Sequence, residues 1–371
     1  MKLTVQTQLF PDSSQTKSLR ETIETFNVAA DWMAGEAFRL QSSNKIDLQK
    51  THYHSLREKF KLSAQMAVRC IAQVCEAYKR DKNRRPRFKK HAAMPYDYRM
   101  MSFKGIDKVS LLSLTGRVIV PMVMGAYQRE RFGGKKGQCD LVLRRDGKWF
   151  LLCTVDLPDG TPTPTTDFIG VDLGVNHLAT TSDGKQFSGD GVENCRQKFF
   201  NARRSLGRKM GSAKRRARKN ARRAMRRIGN KEAMFRRHVN HVISKKLVSL
   251  CKDTGFGLAL ENLQGIRDRA RFRKGQRAKM GGWAFFQLRS FLTYKSVLAG
   301  VALAFVDPRN TSRTCAECGH CEKGNRASQA VFKCRSCGHE AHADHNAARN
   351  IAARAAVNRL QVSQTQSIVA A

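Results

Sequence analysis

Acidic residues are scarce in this chain: 30 Asp and Glu stand against 69 Lys and Arg, a formal net charge of +39 over 371 residues. Such an excess is far beyond what solubility requires, and a fold that repels itself this strongly calls for a polyanionic partner. Nucleic acid fits best, because every phosphate neutralised releases a condensed counterion. Long hydrophobic runs are missing as well, so no stretch approaches a bilayer span. With neither an amphipathic anchor nor a lipidation signal, a membrane-surface protein with a basic face is disfavoured, and no membrane partner is expected. A secretion signal is also lacking. MKLTVQTQLF alternates Leu3, Val5 and Leu9 with polar residues, the pattern of a half-buried strand rather than a continuous apolar leader. Eleven cysteines without such a signal point to a reducing, cytoplasmic compartment, with thiols packed in cores or bound to metal.

Proline is rare too, and three of the 8 fall in PDGTPTPTT (158–166), which reads as a linker. Ahead of it, Pro11-Asp12-Ser13-Ser14 signals a helix start. Leu19, Ile23, Phe26, Ala30, Met33, Ala37 and Leu40 then mark one face of a long helix. A second helix is written in Leu62, Met66, Cys70, Val74 and Ala77, and His52, Tyr53 and His54 between the two read as surface or packing residues. DKNRRPRFKK (81–90) sets Arg84, Arg85, Arg87 and Lys89 around Phe88, a composition suited to phosphate contact and base stacking. From about residue 102 to 157 the period becomes two. RVIVPMVM, CDLVLRR and WFLLCTVDL read as strands, the last two joined by an Asp146-Gly147 turn. Cys70, Cys75, Cys153 and Cys251 lie in apolar periodic segments and read as packing residues.

Beyond the linker, FIGVDLGV is an apolar strand and NHLATTSDGKQFSG two short strands around an Asp-Gly turn. Residues 196–237 form the most basic segment, with Glu232 its lone acid, and predict one or two helices. Arg203, Arg204, Arg208, Arg215, Arg216, Arg222, Arg223, Arg226 and Arg227 would lie on nearly every side of them, self-repulsive without a phosphate backbone alongside.

Three acids stand apart from the rest. Asp172 ends the apolar strand in IGVDLGV, Glu261 ends another in FGLALENL, and Asp344 begins the final helix in ADHNAARNIAARAA. A carboxylate on a buried strand is costly unless it is paired or binds a metal. Three such oxygen donors suit Mg²⁺ or Mn²⁺. The element order is that of an α/β RNase H-like nuclease: the Asp172 strand, two more strands, helices, the Glu261 strand, a helix, strand VALAFVDP, and the Asp344 helix. The chemistry it supports is two-metal phosphodiester hydrolysis. Taken alone, Asp344 reads equally as a first-turn acid stabilised by the helix dipole.

Cys315-x2-Cys318, a fifteen-residue gap, and Cys334-x2-Cys337 form a four-cysteine zinc spacing, with Gly319 and Gly338 after each pair. Four thiolates close the tetrahedron, so the zinc is structural. His320 and Cys321 are near enough to compete as ligands. Arg313, Lys333 and Arg335 are candidates for phosphate contact.

GVDLGV (170–175), LALENL (258–263), WAFFQLRSFLTYKS (283–296), DPRNTSRTCAECGH (307–320) and CRSCGHEAHADHNAARNI (334–351) together resemble TnpB, the transposon-associated RNA-guided nuclease related to type V CRISPR effectors. RPRFKK (85–90) and the strands before the linker match it more weakly. The resemblance implies a wedge-like β-barrel domain (1–10 and 101–157) carrying a helical recognition domain (11–100), then the linker. A RuvC-like nuclease domain (167–306 and 341–360) would follow, with a zinc ribbon insert (307–340) and a flexible tail (361–371). It makes Asp172, Glu261 and Asp344 the catalytic metal ligands, and it implies a guide RNA derived from the transposon end. Double-stranded target DNA would be read by base pairing beside a short flanking motif. One site would cut both strands in turn, in a prokaryotic cytoplasm with nucleoid association on DNA. The short chain favours TnpB over the type V effectors. QGIRDRARFRKGQRAKMGG (264–282) reads as a mobile loop gating the site. The competing readings are a non-cleaving RNA-guided DNA-binding regulator and a strand-transfer transposase built on the same core.

Overall fold

The computed structural model describes residues 1–211, 214–263 and 285–369, so the expected gating loop at 264–282 lies outside the described residues. The chain divides into two compact units, Met1–Pro158 and Asp159–Ala371.

In the first unit, seven strands form one antiparallel sheet. In chain order they are β1 (Lys2–Leu9), β2 (Met94–Tyr96), β3 (Met101–Lys104), β4 (Lys108–Ser113), β5 (Gly116–Val123), β6 (Lys135–Leu143) and β7 (Trp149–Asp156). Their order in the sheet is β2-β6-β7-β1-β5-β4-β3. The Tyr96 hydroxyl, on β2, donates to the carbonyl of Leu112 on β4 at 2.8 Å, so the sheet curls into a nearly closed barrel. Helix α1 (Ser13–Arg39) starts at a reciprocal Asp12–Gln15 capping box, which satisfies two otherwise orphaned amides. It buries Leu19, Ile23, Phe26, Ala30 and Met33 in a core shared with the sheet.

Three elements here differ from the sequence reading. A helix α2 (Lys45–Phe60), capped by Asn44, stands between the two expected ones, and only Leu48, His52 and Leu56 of it are buried. The second expected helix is thus the third, α3 (Ala64–Tyr78). Strand β2 lies within 11–100, the span the resemblance assigns to a helical domain, and α4 (Ala126–Phe132) interrupts the stretch expected to be all strands.

The second unit is built on five strands: β8 (Phe168–Asp172), β9 (His177–Thr181), β10 (Gln186–Ser188), β11 (Gly257–Glu261) and β12 (Leu303–Val306). They lie in the order β10-β9-β8-β11-β12, with β8, β11 and β12 parallel and β9 antiparallel to both of its neighbours, β8 and β10. The basic segment forms α5 (Asp190–Met210) and α6 (Arg215–Ile228) and leads into α7 (Lys231–Thr254), three helices rather than one or two. Then come α8 (Phe285–Ala299) and the final helix α9 (Ala343–Val369), which continues through the stretch expected to fray from 361.

Successive strand side chains point to opposite faces, and the core obeys that period. Ile169, Val171, Leu258 and Leu260 pack with Ile243, Leu247, Leu288 and Leu292 of α7 and α8. Phe168 and Ala259, one residue out of phase, pack with Ile351 and Ala355 of α9. The α9 face is the tighter one. A Cβ added at Gly170 would lie 2.0 Å from the Ala348 carbonyl oxygen and 2.5 Å from the Ala352 amide, so the absence of a side chain lets helix backbone rest on strand backbone.

Gly170→Ala is therefore expected to lose about 1–3 kcal/mol of stability through overpacking. Gly207→Ala in α5, where nothing lies within 4 Å of the added Cβ, should gain about 0.5–1 kcal/mol. Denaturation midpoints compare the two, and an unchanged midpoint for Gly170→Ala would remove the close approach as a constraint.

Candidate active site and metal centres

Asp172 is the last residue of β8 and Glu261 the last of β11. The parallel register pairs Ala259 with Gly170 and Leu260 with Val171, so one further step sets Glu261 beside Asp172. Both share strand parity with Gly170 and Ala259 and therefore point to the face covered by α9. There Asp344 occupies the first turn of the helix. Three acids from distant parts of the chain thus meet at the carboxyl ends of two neighbouring strands.

Their electrostatics follow from this placement. Burial, with the Glu261 and Asp344 charges adding to it, pushes Asp172 up to about 7. Burial also raises Glu261, against the opposing hydrogen bond that the Thr311 hydroxyl donates to its Oε1. Arg326 of the ribbon reaches to 3.9 Å from an Asp344 oxygen, a cation set against the cluster. Buried oxygen donors that disfavour one another's charge are a donor set a hard dication relieves, so the residues fit Mg²⁺ or Mn²⁺.

Sequence reasoning left two neighbours of Asp344 unnamed. Ligand atoms of His177, at the start of β9, and His342, two residues before Asp344, lie with an Asp344 oxygen all within 4.8 Å of one another. Asp172 and Glu261 stand outside that closer group. Thr311 and Arg326 were missed as well. The sequence carries no signal for a pairing between His177 and His342, which only the fold brings together.

The cysteines form the second centre. The Sγ atoms of Cys315 and Cys337 are 3.7 Å apart, those of Cys318 and Cys334 3.6 Å, and all four lie within 4.8 Å of one another. A zinc tetrahedron with bonds of about 2.3 Å has edges of about 3.8 Å, so these thiols fit zinc closely. Amides of Cys337 and Ser336 aimed at the Cys334 sulfur hold that thiol below its ordinary range. Gly319 and Gly338 take φ of 75° and 78°, the left-handed turn each knuckle needs. Cys321 instead bridges Thr314, and His320 faces Glu322, so among the described residues neither joins the metal group.

The ribbon, whose hairpin is β13 (Val331–Lys333) and β14 (Glu340–His342), is tied to α9 by side-chain amides. Asn346 Oδ1 accepts from the Ala316 amide at 2.9 Å, and its Nδ2 donates to the Thr314 carbonyl at 2.8 Å. Asn350 donates to the carbonyls of Thr311 and Thr314 at 2.8 and 2.7 Å.

Of the basic candidates, Arg84, Arg87, Lys89, Arg204, Arg208, Arg215, Arg216, Arg222, Arg223, Arg226, Arg227 and Arg313 are exposed. Two have protein partners. Arg85 donates to the carbonyl and carboxylate of Asp31 at 2.8 and 3.0 Å, and Arg203 is bonded to Glu232. The positive helices are therefore not wholly without acidic partners. In α6, all the Arg and Lys side chains are exposed, and Ala221 alone is buried.

With this geometry in view, two family models match the chain: "Probable transposase" (OrfB_IS605) over residues 152–267, and "Cas12f1-like, TNB domain" over 285–351. The CRISPR-associated endodeoxyribonuclease Cas12f1 of Sulfoacidibacillus thermotolerans is 34% identical over 220 residues, 56% of this chain and 50% of that protein. The "Putative RNA-guided DNA endonuclease InsQ" of Escherichia coli K12 is 30% identical over 220 residues, 56% of this chain and 54% of its own length. The chain spans about half the length of the curated relatives it matches. In fold it is similar to Cas12f1 in a Cas12f1-sgRNA-target DNA complex, with a TM-score of 0.61 at 15% identity over 90% of this chain and 82% of that one. The resemblance to TnpB read from the motifs is borne out by these models and relatives. Among the described residues, no helix is long and apolar enough to cross a membrane.

Two predictions follow from the two centres. Asp172, with its folded value near 7 against an ordinary value near 3.9, binds more protons folded than unfolded in between. Metal-free protein should therefore lose stability as pH rises from about 4 to 7. Asp172→Asn should remove that loss and stabilise the metal-free protein at pH 8 by on the order of 1–3 kcal/mol, read by denaturant titration. At the ribbon, Cys334→Ser should release zinc and lower the unfolding midpoint, because site and fold form together. Unchanged zinc content by elemental analysis would refute the four-thiol assignment.

Proposed function

We propose that this protein is an RNA-guided DNA endonuclease of the TnpB type, cutting double-stranded DNA beside a short flanking motif. The observation that carries this reading is the pairing of Asp172 and Glu261 at the ends of adjacent parallel strands, under the helix that begins with Asp344. The sheet order, with β9 antiparallel between β10 and β8 and the parallel β11 and β12 on the other side of β8, supports an RNase H-like, RuvC-type nuclease. The names of the relatives, endodeoxyribonuclease and RNA-guided DNA endonuclease, support the substrate and the guide.

In this reading Asp172, Glu261 and Asp344 hold two Mg²⁺ or Mn²⁺ ions. When bound, the pair supplies Lewis-acid charge to the attacking and leaving oxygens of a phosphodiester. The chain's own residues set the conditions for that. Burial of Asp172 and Glu261 excludes competing water and strengthens their attraction for a cation. The Thr311 hydroxyl holds one oxygen of Glu261. Arg326, beside Asp344, is placed to offset phosphate charge. The exposed arginines of α5 and α6, together with Arg84, Arg87 and Lys89, would follow the backbones of guide RNA and target, while base pairing reads the sequence. The barrel and helices of the first unit would serve as wedge and recognition domains. The guide would come from the transposon end, and the protein would work on the nucleoid of a prokaryotic cytoplasm.

The "Probable transposase" description of the 152–267 model favours strand transfer as the second reading, and bound RNA separates the two. A native preparation should carry one specific RNA, identified by sequencing, and a preparation free of RNA would sink the guided reading. With that RNA and Mg²⁺, Asp172→Ala should cut target at least roughly 10³-fold more slowly while retaining DNA binding. Surviving cleavage would move the site elsewhere. If about ten phosphates are contacted, affinity should fall by roughly 10³–10⁵ between 50 and 200 mM salt, and a shallow slope in a filter-binding titration would show that the basic helices do not track the backbone.

A further inference from the structure

The nuclease reading accounts for the carboxylates and leaves two histidines beside them without a task. His177 and His342 come from β9 and β14, and their rings meet edge to face with centroids 5.3 Å apart. A nitrogen of each lies within 4.8 Å of the other and of an Asp344 oxygen. Nδ1 of His177 is buried without a hydrogen-bond partner among the described residues. A ring nitrogen without a hydrogen-bond partner keeps its lone pair available to a ligand. The His342 ring is turned toward Asp344 by a long contact, 3.3 Å, from the Asp344 amide to its Nδ1. Uptake of a cation through either nitrogen of His342 gives up only that weak bond. His345, also adjacent, is different: its Nε2 contacts the Ser182 carbonyl at 3.1 Å, and it does not join the group.

Two imidazoles and a carboxylate form a donor set of borderline softness. Carboxylate and water ligands suit Mg²⁺, whereas imidazole nitrogen favours first-row transition-metal dications. We propose that His177, His342 and Asp344 form a nitrogen-containing metal subsite that takes a transition-metal dication in preference to Mg²⁺, with Asp344 shared between this subsite and the nuclease carboxylates. This inference rests on the nuclease reading for the second role of Asp344, but the subsite itself is defined by the three side chains. Arg326, 3.9 Å from the same carboxylate, competes with the ion for it, so Arg326→Gln should tighten binding.

The test uses Mn²⁺ as probe on the full-length, zinc-loaded protein, because thiolates hold zinc and manganese does not displace it from four sulfurs. Pulsed electron paramagnetic resonance of bound Mn²⁺ should show ¹⁴N coupling from imidazole in the wild type and in His345→Ala. The coupling should weaken in His177→Gln and His342→Gln and vanish in the double variant. The ratio of Mn²⁺ to Mg²⁺ affinity, measured by competition, should fall about ten- to a hundred-fold in the double variant. Absence of ¹⁴N coupling in the wild-type protein overturns the subsite whether or not any variant folds, and an unchanged affinity ratio in a folded double variant does the same. Guided cleavage by the wild type is scored separately. Cutting with Mg²⁺ but without ¹⁴N coupling keeps the nuclease and removes the subsite. Coupling in a protein that cuts no guided target keeps the subsite and removes the nuclease reading.

Discussion

Contact of helix α9 with strand β8 at Gly170 is the constraint on which the second unit depends. Nothing but a hydrogen fits between the Ala348 carbonyl and the strand. Because the helix cannot lift away without losing Phe168, Ala259, Ile351 and Ala355 from one small core, its first turn is fixed over the strand ends. That fixes Asp344 against Asp172 and Glu261. Gly170 and Ala259 on this face and the leucines, isoleucine and valine on the other are two halves of one arrangement: bulk packs against α7 and α8, and the absence of bulk at Gly170 admits α9.

Much of this is legible in the sequence because the period-two pattern of a strand states which residues share a face. IGVD and LALE each end an apolar strand in an acid, and parity alone places each acid on the small-residue face. The cysteine spacing states the knuckles, since two glycines stand where the backbone must turn left-handed. Other features were hidden for definite reasons. Helix α2 buries a stripe one residue wide, Leu48, His52 and Leu56, too narrow to rise above its polar surroundings. Strand β2 is three residues long and exists only because β6 offers it an edge. Arg85 and Arg203 look like their exposed neighbours in sequence, and only the fold brings Asp31 and Glu232 to them. His177 and His342 lie on strands that are far apart in the chain, and no local pattern pairs them.

Positive charge and the four clustered thiols solve different problems in this protein. The arginines of α6 gain nothing from the fold itself, since they face solvent with one buried alanine beneath them. The ribbon, by contrast, is bound inward. Thr311 links its root to Glu261 through the hydroxyl and to Asn350 of α9 through the carbonyl, so the ribbon and the core of the second unit share polar partners.

The dependence of β8 on a helix nearly half the sequence away also sets a timetable during synthesis. Domains form as the chain emerges from the ribosome, N-terminal parts first. Strands β8 to β11 and the arginines of α5 and α6 leave the ribosome while Asp344 is still unmade. Until α9 emerges, Gly170 has no helix against it, and Asp172 and Glu261 stand without the third acid. The three-acid cluster therefore comes together only once the helix that carries Asp344 has been made.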